Sequence, residues 1–329
     1  MLRAAVVGLG VGEAHARTYA ELPDCELVAL CDIDEARLAE VAARHPGVRT
    51  TRDADALLTD PTVDVVSIAS YDDAHFAQVR TALAHGKHVF VEKPLCTRRE
   101  EADELRALLA ERRGQVLSSN LVLRASPRFR RVKELVDAGR LGDLYYVEAD
   151  YDYGRLHKLT QGWRGDLPHY SVTVGGGVHV VDLLLWLTGR HVVEVTAYGN
   201  RIASAGTKFR FDDLRVALLR FDNGMLGKVA ANFGSATPHF HAVELFGTEA
   251  TFVNGPEHGW LVDRDRREEI DAPYPGVGKG ELIPAFVDAV LGRGEPVVPA
   301  EEVFAALDVC FAIDESAESG RPVATLGRR

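Results

Sequence analysis

A short apolar run that breaks into glycines opens this chain, and it sets the kind of sheet that its first third can build. Ala4–Val7 is apolar, and Gly8-Leu9-Gly10-Val11-Gly12 follows at once and leads into a helical pattern. Further short, β-branched runs follow at Leu27–Cys31, Val63–Ala69, Val89–Val91 and Val116–Ser118, as expected of strands buried on both faces. Helical stretches separate them: Ala36–Ala43, Phe76–Ala84 and Glu100–Arg112, the last announced by the capping-box spelling Thr97-Arg98-Arg99-Glu100. Alternation of this kind predicts an α/β Rossmann domain, a doubly wound parallel sheet with right-handed crossovers, over residues 1–121.

The pattern then changes. A helix over Pro127–Ala138 is stopped by Gly139. Beyond it the runs Leu144–Tyr153, Val192–Ile202, Arg215–Phe221, Leu226–Asn232 and Ala242–Phe246 alternate like strands with one solvated face, and Asp222-Asn223-Gly224 supplies a hairpin turn. Helices are expected over Val178–Leu187, Leu282–Leu291 and Ala300–Glu318. Residues 122–329 therefore read as an α+β domain with a large, mainly antiparallel sheet.

A length of 329 residues favours two domains, and 46% hydrophobic with 26% charged residues is ordinary for a globular chain. The net charge of -11 argues against a nucleic-acid binder. The cluster Arg128, Arg130, Arg131, Lys133 reads as a solvated helix face. No apolar run reaches the ~20 residues of a membrane span. The N-terminal run is too short, and too soon interrupted by glycine, for a signal peptide. Cys25, Cys31, Cys96 and Cys310 show no metal-like spacing and fit reduced, buried thiols of a cytoplasmic protein.

Gly8, Gly10 and Gly12 let backbone approach a pyrophosphate, which a helix N-terminus then receives. Asp32 ends the second strand ~20 residues on, where an acid accepts both ribose hydroxyls. Asp34 better suits the cap of the next helix, which leaves Asp32 for the ribose. An acid there favours NAD over NADP, although Arg37 lies near enough to weaken the preference. Gly12 comes one residue early, with Glu13 in the place of the third glycine, so a slightly shortened turn is expected.

Gly86-Lys87-His88-Val89-Phe90-Val91-Glu92-Lys93-Pro94 puts Lys93 at the carboxyl end of a buried strand, where open α/β sheets bind ligands. Pro94 fixes the turn that aims it. Taken alone, a surface lysine is an equal reading.

Glu92-Lys93-Pro94, with the glycine loop running into His15-Ala16, resembles the Gfo/Idh/MocA oxidoreductase family. The likeness continues through Ser70 to His75, where Tyr71 and Asp72 replace the usual Pro-Asn. It extends over Asn120–Pro127, Gly139–Gly142, His179-Val180-Val181-Asp182, Phe221–Gly224, Gly247-Thr248-Glu249 and Ser319–Val323, and so spans nearly the whole chain. The resemblance implies hydride transfer between nicotinamide and a secondary alcohol or ketone of a sugar, cyclitol or nucleotide-linked sugar. It implies Lys93 as the group that holds the reacting oxygen and His179 as general acid–base. His179 is expected in the first turn of a helix, whose dipole would keep it neutral. A cationic environment and burial are expected to lower the Lys93 pKa. Cofactor contacts fall to Gly8, Gly10, Gly12, Asp32, Ser70, His75, Glu92, Lys93, Pro94 and Asn120. Substrate contacts fall to Arg124, Trp163, Arg164 and Asp182, with a salt bridge the alternative for Arg124, packing for Trp163 and a buried structural role for Asp182. No metal is implied.

Relatives in the family usually carry an aspartate four residues before the histidine, and here Gly175-Gly176-Gly177 removes it. Asp166, His169, Tyr170 and Asp182 are candidate substitutes. Some relatives are NAD-dependent glycosidases and at least one is a non-catalytic regulator, so both remain alternatives. Relatives pair through the open sheet face, which implies a homodimer or homotetramer.

Overall fold

The computed structural model describes residues 1–112 and 114–325. Two compact units are present: Met1–Val122 with Gly278–Phe304, and Leu123–Val277 with Ala305–Arg329.

The first unit alternates β1 (Leu2–Val7), α1 (Gly12–Glu21), β2 (Cys25–Cys31), α2 (Glu35–Ala42), β3 (Arg49–Thr51), α3 (Asp55–Leu58), β4 (Val65–Ile68), α4 (His75–Ala84), β5 (His88–Val91), α5 (Arg99–Glu111) and β6 (Leu117–Ser119). Its six strands are ordered β3-β2-β1-β4-β5-β6 and pair in parallel. This is the doubly wound order, with the order of strand addition reversing between β1 and β4, where such sheets open a ligand crevice. Ala4 to Val7, Val65 to Ile68 and Val89 to Val91 are buried throughout, as continuous apolar runs require.

In the second unit, α6 (Pro127–Asp137) precedes β7 (Leu144–Asp152), α7 (His157–Thr160), α8 (Val178–Thr188), β8 (Val192–Asn200), β9 (Leu214–Phe221), β10 (Leu226–Asn232), β11 (Phe240–Gly247), β12 (Thr251–Asn254), β13 (Gly259–Val262) and β14 (Arg267–Ile270). After α9 (Ile283–Val290) and α10 (Ala300–Ser319), β15 (Val323–Ala324) completes a nine-stranded sheet, β14-β13-β12-β11-β7-β10-β9-β8-β15. Only β7 and β10 pair in parallel; every other pair is antiparallel. The predicted turn joins β9 to β10, with Gly224 at φ +88 and the Asn223 side chain accepting from the Met225 N–H.

The structure corrects four expectations. The second domain is not continuous, because Gly278–Phe304 returns to the first unit. Phe286 of α9 packs on Phe90 with ring centroids 5.5 Å apart, and Ser118 Oγ donates to the Val298 carbonyl at 2.9 Å. The α5 cap lies one residue later than its spelling, since Glu101 rather than Glu100 accepts from the Arg98 N–H at 3.1 Å. Arg128 is no solvated side chain: it is 2% exposed, and its guanidinium donates to the carbonyls of Ala272, Gly255 and Glu257 and to Asn254 Oδ1. Strands β3 and β12 to β15 were not foreseen, because they are short and β3 has no buried residue to mark it.

Among the described residues no helix is long and apolar enough to cross a membrane. All four cysteines are buried thiols.

Candidate functional site

The glycine loop is built from three different needs. Gly8 has φ +82, and a Cβ there would lie 2.5 Å from the Ala69 carbonyl oxygen, so β1 and β4 meet at this turn only through glycine. At Gly10 a Cβ would meet nothing within 4 Å, which leaves the backbone open for a ligand's approach. A Cβ on Gly12 would lie 2.9 Å from Val6 Cγ1. Gly12 therefore performs the close helix–strand packing assigned to the third glycine of the fingerprint, and Glu13 is turned outward. No side chain caps the first turn of α1, so its N–H groups keep their capacity for an anion. Asp34 caps α2 as expected, accepting from the Ala36 and Arg37 N–H groups. The half-buried Asp32 accepts from the Leu9 N–H at 2.6 Å and the Asp34 N–H at 2.8 Å, which fixes its carboxylate at the end of β2. Open backbone, an uncapped helix start and a fixed acid are what a dinucleotide requires, so these residues fit the group.

Lys93 follows β5 in a turn whose Lys93–Pro94 peptide is cis. Several residues expected to touch the cofactor also hydrogen-bond to one another and to the backbone around this turn. His75 is fully buried, with Nδ1 2.6 Å from the Pro94 carbonyl oxygen and Nε2 3.2 Å from that of Ser70. It ties the loop after β4 to the lysine turn. Ser70 Oγ donates to Gln78 at 2.7 Å. Asn120, also fully buried, donates to Glu92 Oε1 at 2.6 Å and to the Lys279 carbonyl at 2.8 Å. His15 completes the network, with Nδ1 2.9 Å from Ser67 Oγ and Nε2 3.6 Å from Glu92. Burial opposes ionisation of Glu92, but the His15 hydrogen bond and the charges of Lys279, His15 and Lys93 outweigh it and pull the carboxyl down to about 2. The charged surroundings of Lys93 thus include an ionised carboxylate, not cations alone.

In the second unit His179 lies in α8, but not at a free helix start. A π-helical turn, Thr173–Gly177, runs into α8 without a break, and Ser171 Oγ accepts from the N–H groups of Thr173 and Val174 at its true beginning. The dipole's positive end is confined to that first turn, so it does not account for a neutral His179. Tyr151 of β7 stacks on the imidazole at a centroid distance of 6.1 Å. His241 stands edge-on to it at 6.1 Å, and His239 lies 4.7 Å from His241. His241 is fixed by Tyr274, whose hydroxyl accepts from the His241 backbone N–H and lies 2.6 Å from Nδ1. Tyr151 and His241 were missed as neighbours of His179, and His239 as a neighbour of both of them. The signal was the two-residue spacing of the histidines at the start of β11, whose His241 pairs with Tyr151 in register.

Arg124 and Asp182 form a buried ion pair, with Nε to Oδ2 at 3.0 Å and a second contact from Nη2 to Oδ1, and their side chains are 2% and 0% exposed. This is the salt bridge given above as the alternative for Arg124. Trp163 and Arg164 stack on each other at 4.3 Å. Among the candidates to replace the missing aspartate, Asp166 is engaged by Lys208 at 2.7 Å and His169 packs on Phe211. Tyr170 is placed otherwise: a Cβ on Gly175 would lie 2.3 Å from its hydroxyl oxygen, so the tyrosine occupies the space a side chain at 175 would need.

A family model described as an oxidoreductase family with an NAD-binding Rossmann fold matches residues 2–120, and the GFO/IDH/MocA C-terminal domain model matches residues 129–253. The chain is 32% identical over 225 residues to inositol 2-dehydrogenase 2 of Saccharopolyspora erythraea, an alignment covering 67% of this chain and 63% of that protein. It is 27% identical to myo-inositol 2-dehydrogenase of Thermotoga maritima over 98% of both chains. In fold it matches the crystal structure of myo-inositol 2-dehydrogenase from Lactobacillus plantarum with a TM-score of 0.84 and 23% identity, covering 98% of this chain and 99% of that one. Both halves of the chain thus answer to one group of enzymes, and the protein belongs to the Gfo/Idh/MocA family of oxidoreductases, its first unit being that family's NAD-binding Rossmann fold.

Proposed function

We propose that the protein is an NAD-dependent dehydrogenase or reductase acting on a secondary alcohol or ketone of a cyclitol, sugar or nucleotide-linked sugar. The observation that carries this reading is the buried Ser67–His15–Glu92–Asn120 network beneath the Lys93–Pro94 turn. This network fixes Glu92, the residue before Lys93, at the carboxyl edge of the sheet. Relatives named inositol dehydrogenases support the cyclitol class.

Gly10, the start of α1 and Asp32 would hold the dinucleotide, which when bound would supply the hydride acceptor or donor. Lys93 donates a hydrogen bond to the substrate oxygen and stabilises the negative charge that grows there as the hydroxyl is deprotonated. His179 is assigned the general acid–base role that the family resemblance implies. Tyr151 and His241, packed on the imidazole, restrict its orientation. Trp163 and Arg164 are assigned to the substrate side.

Lys93→Ala tests the reading. Turnover with inositols or sugars, followed by NADH absorbance, should fall at least ~100-fold, while NADH binding by fluorescence changes little. Full activity in this variant would remove Lys93 from the mechanism.

We assign a homodimer or homotetramer to the same protein. One face of the large sheet exposes Tyr198, Val216, Leu218 and Leu226 side by side across β8, β9 and β10, with Leu218 at 62% and Leu226 at 55%. A sedimentation mass of one chain would refute the assignment.

A further inference from the structure

Leu9, in the glycine loop, is held from both sides. Asp32 accepts from its N–H at 2.6 Å, and Arg37 Nε donates to its carbonyl at 3.0 Å. The guanidinium therefore stands one residue's span from the Asp32 carboxylate, at the edge where the adenosine ribose of a dinucleotide lies. A guanidinium at that edge is the group suited to receive a 2′-phosphate, since it offers paired N–H donors to the oxyanion.

In this chain those donors are already engaged. Arg37 Nη2 donates to Glu13 at 2.5 Å and Nη1 to Glu40 at 2.8 Å. Arg44 joins the same two acids, with Nη2 2.6 Å from Glu40 and Nη1 against Glu13. Two arginines and two glutamates close a ring of no net charge, and Asp32 beside it leaves the ribose edge negative. Each pair is half-exposed or exposed and worth little alone, but a ring of four shares its partners and fixes its geometry.

We infer that Glu13 is a specificity-determining residue, which by occupying the Arg37 donors that a 2′-phosphate would need makes the site select NAD over NADP. Gly12 is essential to this arrangement: by packing on Val6 it performs the third glycine's task and frees position 13 to carry an acid. The inference rests on the reading of the first unit as a dinucleotide site.

The test is the equilibrium binding of NADH and NADPH to the full chain at low ionic strength, read by nicotinamide fluorescence without substrate. The wild-type protein should bind NADH more tightly, by about tenfold or more, because Asp32 both favours the ribose hydroxyls and repels the phosphate. Glu13→Gln should narrow that ratio about threefold to fivefold, by tightening NADPH while leaving NADH nearly unchanged. Adding Arg37→Met should restore the wild-type ratio, because the gain runs through the released guanidinium. A Glu13→Gln ratio equal to wild type overturns the inference, as does a wild-type preference for NADPH, and neither disturbs the dinucleotide reading. Binding of neither dinucleotide by the wild-type protein would overturn both.

Discussion

Asp182→Asn should unfold the second unit far more easily. The carboxylate is 0% exposed and the guanidinium of Arg124 2% exposed, and they meet through two contacts, one of 3.0 Å. Neutralising the acid leaves an arginine charge buried without its counter-ion, a change that costs about 3–5 kcal/mol. In a unit of this size each kcal/mol lowers the melting temperature by ~2–4 °C, so a fall of roughly 6–20 °C is expected. The pair itself adds much less than its breakage costs, because both ions were taken out of water to form it. The double variant Arg124→Met/Asp182→Leu should therefore recover most of the loss. Urea denaturation followed by tryptophan fluorescence is the assay, since Trp163, Trp186 and Trp260 all lie in the second unit and Trp186 packs 5.9 Å from the Arg124 guanidinium. The midpoint should shift with the slope unchanged. A loss under about 1 kcal/mol for Asp182→Asn, or a double variant no more stable than the single one, would refute the reasoning.

Gly175→Ala should destabilise the same unit by about 1–3 kcal/mol, because its Cβ would lie 2.3 Å from the Tyr170 hydroxyl. Tyr170→Phe in that background should recover only part, since the ring carbon Cζ would still be 2.6 Å away; full recovery, seen by urea midpoint, would show that the hydroxyl alone is the obstacle. In the first unit, the Glu92 carboxyl is depressed from 4.5 to about 2, so between those values the unfolded chain binds the extra proton. Stability from this group is complete above pH 4.5 and should be lost as pH falls toward 2. Circular dichroism during urea unfolding across this range should show a steeper pH slope for the wild type than for Glu92→Gln, and equal slopes would remove Glu92 from the acid response.

The first unit was the more legible because its strands are buried on both faces. A run such as Val89–Val91 has no polar residue to blur it, and glycine between strand and helix is demanded by close approach whatever lies elsewhere in the chain. The edge strand β3, with two exposed residues and one half-buried, carries no such signal. The roles of individual polar residues were harder to read. His75, Asn120 and Glu92 stand in the right motifs, yet the motifs do not say that His75 meets the Pro94 carbonyl or that Asn120 and His15 meet Glu92. Arg128 shows the same limit: a run of basic residues reads as a solvated face until loops from Asn254 to Ala272 supply carbonyls to its guanidinium.

Periodicity and the placement of glycine and proline by themselves determined the alternating first unit, the antiparallel second one, the dinucleotide loop and the lysine turn, because those signals are local and backbone sterics act within a few residues. Only the tertiary structure decided that Gly278–Phe304 returns to the first unit, that Arg124 belongs to Asp182, that Arg37 belongs to Glu13 and Glu40, and that His179 rests among Tyr151 and His241. A charged or aromatic side chain is compatible with many partners along a sequence. Which one it meets is set by the folding of segments tens of residues away, and by the cost of burying it unmatched.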